Sequence, residues 1–245
     1  MQVKQEQWLR FSHELVIVYS FINFPRALLF NNMSNQLKLY TAKTPNGIKV
    51  SILLELLGLK YDYQQLSIAN NGTKEPWFIA KNPNGRIPTL EDNSTGITIS
   101  ESGAILQYLV DTYDKDHKYS YKHGTKEYYL QLETLYWQMA GLGPMQGQAN
   151  HFKLYAPETV PYGINRYINE TKRLYSVLEI FLKNNEKNGP YLVGDHLCIS
   201  DIASYGWAKS AEKLGISLSE WPLVFKWFKN IDSIPEVQKG IDFDS

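Results

Sequence analysis

The tripeptide Thr44-Pro45-Asn46 falls between a predicted strand and a predicted helix, and its side chains could hold an anion. The first turn of a helix exposes unpaired backbone N–H groups and a partial positive charge. A thiol placed there would ionise more readily, because the thiolate is stabilised and its pKa falls below about 8.5. The Thr44 hydroxyl and the Asn46 amide could both donate hydrogen bonds to the sulfur. On the tripeptide alone, ordinary helix capping by Thr or Asn is the commoner explanation.

Pro88 interrupts a segment that otherwise has the composition of a strand, residues 84–90. Proline inside a strand marks an edge, a bulge or a cis peptide bond. A cis bond between Ile87 and Pro88 would turn the N–H and C=O groups of Ile87 outward, where they could pair with a peptide ligand as an added strand. A trans proline on an edge strand is the commoner alternative for an isolated X–Pro pair.

Ser100, Glu101 and Ser102 end a predicted strand and open a predicted helix. Ser100 is a suitable N-cap residue, and the helix dipole alone favours an acidic residue such as Glu101 here. In a binding site, the hydroxyl and N–H of Ser102 would hold a carboxylate, and Glu101 would hold an ammonium group. An anion-holding helix start, a suspected cis proline and this clamp for an α-amino acid follow one another in an order that predicts a site for a tripeptide thiol.

These three motifs lie in an N-terminal half whose pattern alternates between strands and helices. The order is βαβ, a short helix, a β-hairpin and a final helix, which predicts a small mixed sheet with helices packed on it. The predicted strands are 37–40, 61–68, 87–90 and 97–100, and the predicted helices are 48–57, 76–80 and 101–113.

The C-terminal half contains no convincing strand after a polar and aromatic linker at 114–124. Apolar residues recur there at helical spacing. Helices are predicted at 126–140, 164–182, 201–214, 222–231 and 235–240. We therefore expect an α/β domain over 37–115 and an all-helical domain over 122–240.

Residues 1–36 differ from the rest of the chain. Their apolar run is too short for a transmembrane helix, and the residues around it make a poor signal peptide. We expect an N-terminal extension that is disordered or not native, with the domain beginning near Met33. A functional extension is the alternative.

Composition and charge argue against several classes of function. The chain has 245 residues, with 25 basic and 25 acidic side chains, and lacks the positive excess typical of nucleic-acid binding. Its single cysteine, Cys198, cannot form an intrachain disulfide or a CxxC pair, which suits a reducing, cytoplasmic location. The five histidines have no metal-ligand spacing, so we expect no metal. No membrane association is expected.

Together, these motifs resemble the glutathione transferase superfamily from about Leu37 to Ile234. The chain is most similar to its Nu class of bacterial disulfide-bond oxidoreductases and to the globular region of the fungal nitrogen regulator that forms prions. The resemblance implies a thioredoxin-like N-terminal domain, an all-α C-terminal domain and a homodimer. It is carried by TPNG at 44–47, NPNGRIPTL at 82–90, ESGAILQYL at 101–109, WQMAGLGPMQGQANHF at 137–152, PYGINRY at 161–167 and YLVGDHLCISDIAS at 191–204.

The resemblance also implies a role for each motif of the first half. Thr44 and Asn46 would be the catalytic residues that contact the sulfur of glutathione. The backbone of Ile87, beside Pro88, would pair with the cysteinyl unit. The clamp at 101–102, formed by Glu101 and Ser102, would bind the γ-glutamyl head group.

Two basic residues complete the implied glutathione site. Lys74 corresponds to a position where many relatives bind the glycyl carboxylate. Arg166 corresponds to an arginine that reaches the site from the helical domain, although its place off the apolar face also fits a solvated surface residue. One departure is Cys198, where the family usually has Ser or Thr three residues before Asp201. A thiol is a poor cap acceptor, so we expect a weakened helix cap and a buried, inert side chain.

Two functions remain open at this point. In the first, the thiolate of bound glutathione attacks a disulfide or an electrophilic carbon, and a second glutathione resolves the mixed disulfide, giving transferase, peroxidase or disulfide reductase activity. In the second, the chain is a non-catalytic glutathione-binding regulatory or partner-binding module on the same fold. Residues 1–36 are not rich in Asn or Gln, which disfavours prion-like regulation.

Overall fold

The computed structural model describes residues 36–68 and 70–242. The elements of its N-terminal part are β1 (Leu37–Thr41), α1 (Gly47–Leu56), β2 (Tyr61–Gln65), α2 (Pro76–Ile79), β3 (Thr89–Asp92), β4 (Ile97–Ser100) and α3 (Ser102–Tyr113). The strands form one mixed sheet in the order β2-β1-β3-β4. β1 pairs in parallel with β2 and antiparallel with β3, and β3 pairs antiparallel with β4. The predicted βαβ unit and hairpin are therefore both present.

Three strands differ from the prediction at their ends, and β1 differs only by extending one residue further, to Thr41. β2 stops at Gln65 instead of residue 68, because the chain turns where the Gly72 N–H bonds the Ser67 carbonyl at 2.9 Å. β3 begins at Thr89, which pairs with Tyr40 as the last bridge of that ladder. The proline before it has no N–H to offer to a ladder, so the predicted strand start at residue 87 is wrong.

The C-terminal part is helical, as predicted. Its helices are α4 (Lys126–Trp137), α5 (Gly143–Asn150), α6 (Pro161–Asn185), α7 (Ile199–Ala208), α8 (Pro222–Asp232) and α9 (Pro235–Ile241). The sequence does not predict α5, since Gly143, Pro144 and Gly147 are poor helix formers. Pro144 stands in the first turn, where it removes no helical hydrogen bond. π-helical turns at 138–142 and 151–155 join α5 to its neighbours, and such turns are frequent at functional sites.

Helix α1 packs against α3 and also against α7 and α9 of the helical part. Its residues 47–54 are all buried, as expected of a helix that is apolar on nearly every side. Two glycines allow the close approach. A Cβ on Gly206 of α7 would lie 2.4 Å from the carbonyl oxygen of Pro45, and a Cβ on Gly240 of α9 would lie 2.5 Å from Ile52 Cα. The helical part thus contacts both α1 and the turn before it.

Asp201, in the first turn of α7, accepts hydrogen bonds from three buried N–H groups and from the Cys198 thiol at 3.2 Å. Its Oδ1 accepts from the Leu192 N–H at 2.9 Å and from Trp227 Nε1 at 2.8 Å, and its Oδ2 accepts from the Cys198 N–H at 3.1 Å. Cys198 is fully buried, and burial raises the pKa of its thiol, which keeps it in the unreactive protonated form. The start of α7 therefore keeps an Asp201 cap despite the thiol.

The proposed limits of the two domains, 37–115 and 122–240, stay predictions. The expected extension at 1–36 lies outside the described residues except for Gln36. None of the described helices is both long and apolar enough to cross a membrane.

Candidate functional site

The turn before α1 caps the helix through Thr44. Thr44 Oγ1 accepts the Gly47 N–H at 3.0 Å, and the Thr44 carbonyl oxygen accepts the Ile48 N–H at 3.1 Å. Of the capping interpretation, the structure shows the bond from Thr44, whereas Asn46, which holds the N-cap position, makes no side-chain capping bond. The Thr44 bond does not exclude the anion-holding interpretation, because a hydroxyl oxygen that accepts a hydrogen bond keeps its own hydrogen for donation.

Asn46 is oriented by a tryptophan of the helical part. Trp207 Nε1, which can only donate, bonds Asn46 Oδ1 at 3.0 Å. The bond assigns the amide oxygen to Trp207 and leaves the two hydrogens on Nδ2 for another acceptor. Within the described part of the chain, Asn46 Nδ2 has no hydrogen-bond partner.

Trp207 packs on two glycines of α5, and at Gly143 the absence of a side chain leaves room for its ring. A Cβ on Gly143 would lie 3.1 Å from the indole nitrogen, and a Cβ on Gly147 would lie 3.4 Å from Cη2. Between them, Gln146 Nε2 donates to the Trp207 carbonyl at 3.0 Å. Sequence reasoning missed Trp207, and the glycine spacing of α5 is the signal that could have indicated a flat side chain against it.

The peptide bond between Ile87 and Pro88 is cis, as the sequence suggested. Asn82 holds this loop, because its Nδ2 donates to the Arg86 carbonyl at 2.8 Å and to Thr89 Oγ1 at 3.1 Å. The backbone N–H and C=O of Ile87 make no hydrogen bond to any described residue. Both groups are therefore available to an extended peptide.

A cavity of about 380 Å³ brings four of the predicted site residues together beside Trp207. Lys74 stands at its wall, where its Nζ donates to the carbonyl oxygens of Gly85 at 2.8 Å and Asn84 at 3.3 Å. Among the described residues no carboxylate pairs with this ammonium, which leaves its charge for a ligand. The predicted residues that line the cavity are Thr44, Asn46, Lys74 and Ile87.

Glu101 occupies the N-cap position of α3, so the expectation that Ser100 is the N-cap is wrong. Its φ of +70° and ψ of 113° cost a non-glycine residue on the order of 1–3 kcal/mol, and such strain concentrates at functional sites. Glu101 does not line the cavity at Asn46. Its exposed carboxylate is connected to the wall of that cavity by Asn84, whose Nδ2 lies 3.4 Å from Glu101 Oε1.

Ser102, the partner of Glu101 in the predicted clamp, is only 3 % exposed. Its Oγ accepts a hydrogen bond at 3.3 Å from the Nζ of Lys49, a residue of α1 that sequence reasoning did not select. Lys49 is fully buried, and this burial lowers the pKa of its ammonium to about 7. The Ser102 side of the predicted clamp is thus hydrogen-bonded to a buried amine of α1.

Arg166 lies apart from the other predicted residues. It is exposed on α6 and lines a second cavity of about 640 Å³ with Met145, Tyr162 and Arg173. Arg173 pairs with Glu170 through two hydrogen bonds of 2.8 Å, whereas Arg166 has no hydrogen bond to a described residue. The structure therefore leaves Arg166 free to act, but does not place it in the cavity at Asn46.

Two family models match the chain: the glutathione S-transferase N-terminal domain over 35–111 and the glutathione S-transferase C-terminal domain over 165–235. Disulfide-bond oxidoreductase YfcG of Escherichia coli (strain K12) is 38 % identical over 208 residues, which cover 83 % of this chain and 93 % of the relative. The chain belongs to the glutathione S-transferase family. The thioredoxin-like domain and the helical domain that the resemblance implied are confirmed.

Two solved structures of similar proteins share this fold. A crystal structure of a glutathione transferase homolog from Lodderomyces elongisporus, with two GSH per subunit, has a TM-score of 0.83 and 52 % identity. That match covers 85 % of this chain and 99 % of the other. The nitrogen regulation fragment of the yeast prion protein Ure2p has a TM-score of 0.79 and 32 % identity, covering 86 % of this chain and 97 % of the other.

The subgroup of glutathione S-transferases that the sequence indicated, which includes the Ure2-like proteins, is therefore confirmed. Within residues 36–68 and 70–242 no group of three His, Cys, Asp or Glu side chains could hold a metal ion.

Proposed function

We propose that this glutathione S-transferase binds glutathione at Asn46, Ile87 and Ser102 and uses its thiolate to reduce disulfides. The observation that carries the proposal is the Asn46 amide, whose oxygen is bonded to Trp207 and whose Nδ2 hydrogens have no partner among the described residues. A sulfur beside this helix start would accept hydrogen bonds from Asn46 and Thr44. The positive end of the α1 dipole would further favour the thiolate over the thiol.

The remaining parts of glutathione match the other polar groups of the region. The unpaired N–H and C=O of Ile87, next to Pro88, would bond the cysteinyl unit as an added strand. Ser102 would hold the α-carboxylate of the γ-glutamyl unit, and Glu101 would hold its ammonium group. Lys74, at the wall of the cavity, would pair with the glycyl carboxylate.

Arg166 would bind from the helical side. Its guanidinium has no hydrogen bond to a described residue, and it lies on α6 beside a cavity large enough for a second small molecule. Arginine is well suited to carboxylates because its planar fork can form two parallel hydrogen bonds. We assign it to a carboxylate of glutathione, with the first or the second molecule as the partner.

The reaction needs no cysteine of the protein. The glutathione thiolate attacks one sulfur of a disulfide, forming a mixed disulfide and releasing the other sulfur as a thiolate that takes up a proton. A second glutathione thiolate attacks the glutathione sulfur of the mixed disulfide, which yields oxidised glutathione and the second reduced thiol. Two GSH per subunit in the Lodderomyces elongisporus homolog support this order of events.

A non-catalytic module is the second candidate. It is favoured by the likeness to a fragment of Ure2p described as a nitrogen regulation fragment. A fold shared by enzymes and regulators does not decide between them. The two candidates differ in turnover, since both would bind glutathione.

Turnover of a small disulfide tests the proposal. The full chain should reduce hydroxyethyl disulfide in the presence of glutathione, and Asn46→Ala should lower kcat/KM about 100-fold, as loss of one donor to a reacting anion does. Arg166→Ala should lower it about tenfold, whereas Arg173→Ala, in the same cavity but paired with Glu170, serves as the matched control. Glutathione binding by calorimetry without turnover of any disulfide or electrophile would favour the module.

We infer transfer of glutathione to electrophilic carbons and peroxide reduction as side activities of the same thiolate. We infer a homodimer, testable by sedimentation. We also infer a cytoplasmic location, which fits a chain whose single cysteine is buried.

A further inference from the structure

Lys49 is a lysine buried in the middle of the fold. It lies in α1, among the apolar residues of that helix, and its side chain is 0 % exposed. Its Nζ donates to Gln138 Oε1 at 2.8 Å and to Ser102 Oγ at 3.3 Å, and lies 3.5 Å from Met139 Sδ. The three contacts join the predicted γ-glutamyl clamp on α3 to the π-helical turn of the helical domain.

No carboxylate among the described residues forms an ion pair with Lys49. A buried charge is costly to desolvate, and it is normally paired or accompanied by a shifted pKa. Here burial lowers the pKa of Lys49 to about 7, and the carboxylate of Glu101 raises it only in part. The ammonium therefore lacks a counter-ion in the described chain.

The charged groups on the elements packed against α1 do not supply that counter-ion. On α7, the carboxylate of Asp201 accepts from Leu192, Trp227 and Cys198 and makes no bond to Lys49. On α9, Lys239 pairs with Glu55 of α1 itself at 2.6 Å. Glu101, at the start of α3, is exposed and contributes only a longer-range field.

We propose that Lys49 is a positioning residue whose counter-ion is the α-carboxylate of the γ-glutamyl unit bound at Ser102. This inference rests on the proposed glutathione site and extends it. A carboxylate that accepts the Ser102 hydroxyl would be separated from the ammonium by that one oxygen atom. Ser102 Oγ accepts from Lys49, and its hydrogen, which points to Met139 Sδ at 3.5 Å in the free protein, would turn to the carboxylate as the stronger acceptor. The charge of Lys49 thus selects ligands that have a free α-carboxylate.

Proton uptake is the direct consequence. Bringing a carboxylate close to an amine favours its protonated form, so ligand binding near neutral pH has to draw a proton from the buffer. The same proton strengthens the bond from Lys49 to Gln138, so occupation of the clamp also tightens the contact between the two domains.

Calorimetry with S-methylglutathione tests the proposal, since this ligand has no thiol to titrate. Binding to the full chain is measured at pH 7.5 in phosphate and in Tris, whose ionisation enthalpies differ. We expect uptake of about half a proton in the wild type and none in Lys49→Met, with affinity about tenfold lower in that variant. Lys172→Met, which removes a surface lysine paired with Glu220, is the control and should behave as wild type.

A second ligand avoids dependence on the variant. S-methylglutathione whose γ-glutamyl α-carboxylate is converted to an amide should bind the wild type without proton uptake and about tenfold more weakly. Binding to the wild type without proton uptake, or equal uptake in Lys49→Met, overturns the role of Lys49 and leaves the glutathione site standing. No binding to the wild type overturns both.

Discussion

The polar groups at the starts of α1 and α7 differ in whether the protein itself supplies all their hydrogen-bond partners. At α7, the two oxygens of Asp201 accept from three buried N–H groups and from the Cys198 thiol, so each of these groups is bonded inside the protein. At α1, Asn46 bonds through its oxygen only, and Lys49 carries a buried amine with no carboxylate partner among the described residues.

This difference distinguishes residues that stabilise the fold from residues that bind a ligand. Polar groups that have hydrogen-bond partners within the protein stabilise the fold. Removing one such group leaves its partners buried without a hydrogen bond. Polar groups held without a full set of partners reduce stability in the free protein and gain their partners from a ligand. Substitutions at the two helix starts should therefore have opposite effects on stability and on binding.

The largest effect is expected at Asp201. Asp201→Ala would leave the N–H groups of Leu192 and Cys198 and the indole of Trp227 buried without an acceptor, lowering the free energy of unfolding by about 4 kcal/mol. Urea unfolding measures this loss. Glu220→Ala, which breaks one exposed ion pair with Lys172, should change it by less than about 1 kcal/mol. Equal losses in the two variants would contradict the role of Asp201.

Trp207 offers a test of the site that leaves the fold intact. Trp207→Phe keeps most of the ring but loses the N–H that orients Asn46, so the Asn46 amide can rotate its oxygen toward the sulfur. The pKa of bound glutathione, followed by thiolate absorbance, should rise by about one unit, which corresponds to about 1.4 kcal/mol.

Trp221→Phe is the matched control for Trp207. It also removes an indole hydrogen bond, from Nε1 to Ser176 Oγ of α6 at 2.9 Å, but its indole makes no hydrogen bond to Asn46. Its thiolate pKa should equal that of the wild type. The same shift in both variants would mean that Trp207 acts through general packing.

Lys49 should lower the stability of the free protein. Burial lowers its pKa from 10.5 to about 7, so between these values the unfolded chain binds more protons than the folded one, and stability rises with pH. The stability of the wild type relative to Lys49→Met should therefore be lowest near pH 7 and should rise by about 3 kcal/mol toward pH 9.5. Denaturant unfolding at several pH values measures it, and parallel curves would contradict the prediction.

Cys198 gives the smallest expected effect. Cys198→Thr should raise the melting temperature, because a hydroxyl is a better cap partner than a thiol. The site is fully buried, with the sulfur 3.1 Å from Ser200 Oγ and 3.2 Å from Asp201 Oδ2, so the extra methyl of Thr could be crowded. Cys198→Ser avoids the methyl and should add about 0.5 kcal/mol; no gain in either variant counts against a weakened cap.

Sequence reasoning located those features that depend on short segments. The cap at Thr44, the cis bond before Pro88 and the helices with regular apolar spacing all follow from neighbouring residues. It failed where distant residues meet. Trp207 lies 161 positions from Asn46, and no local pattern connects them.

Lys49 escaped sequence reasoning for a different reason. A single lysine in an otherwise apolar helix predicts that this residue lies on the exposed face of the helix. Only the packing of other elements on all sides of α1 shows that it is buried. Helix α5 is not predicted because glycine and proline argue against a helix locally, whereas the indole packed on Gly143 explains that glycine.

The two glycines that face α1, Gly206 and Gly240, have a consequence for recombination between relatives. At both positions a side chain would collide with backbone atoms of the first domain, so neither helix can be exchanged without a matching surface on α1. Chimeras that join the first domain of one family member to the last helices of another should express as soluble protein only when both small residues are kept. The part of this molecule that can be exchanged between relatives in one piece is the first domain together with α7 and α9, not the first domain alone.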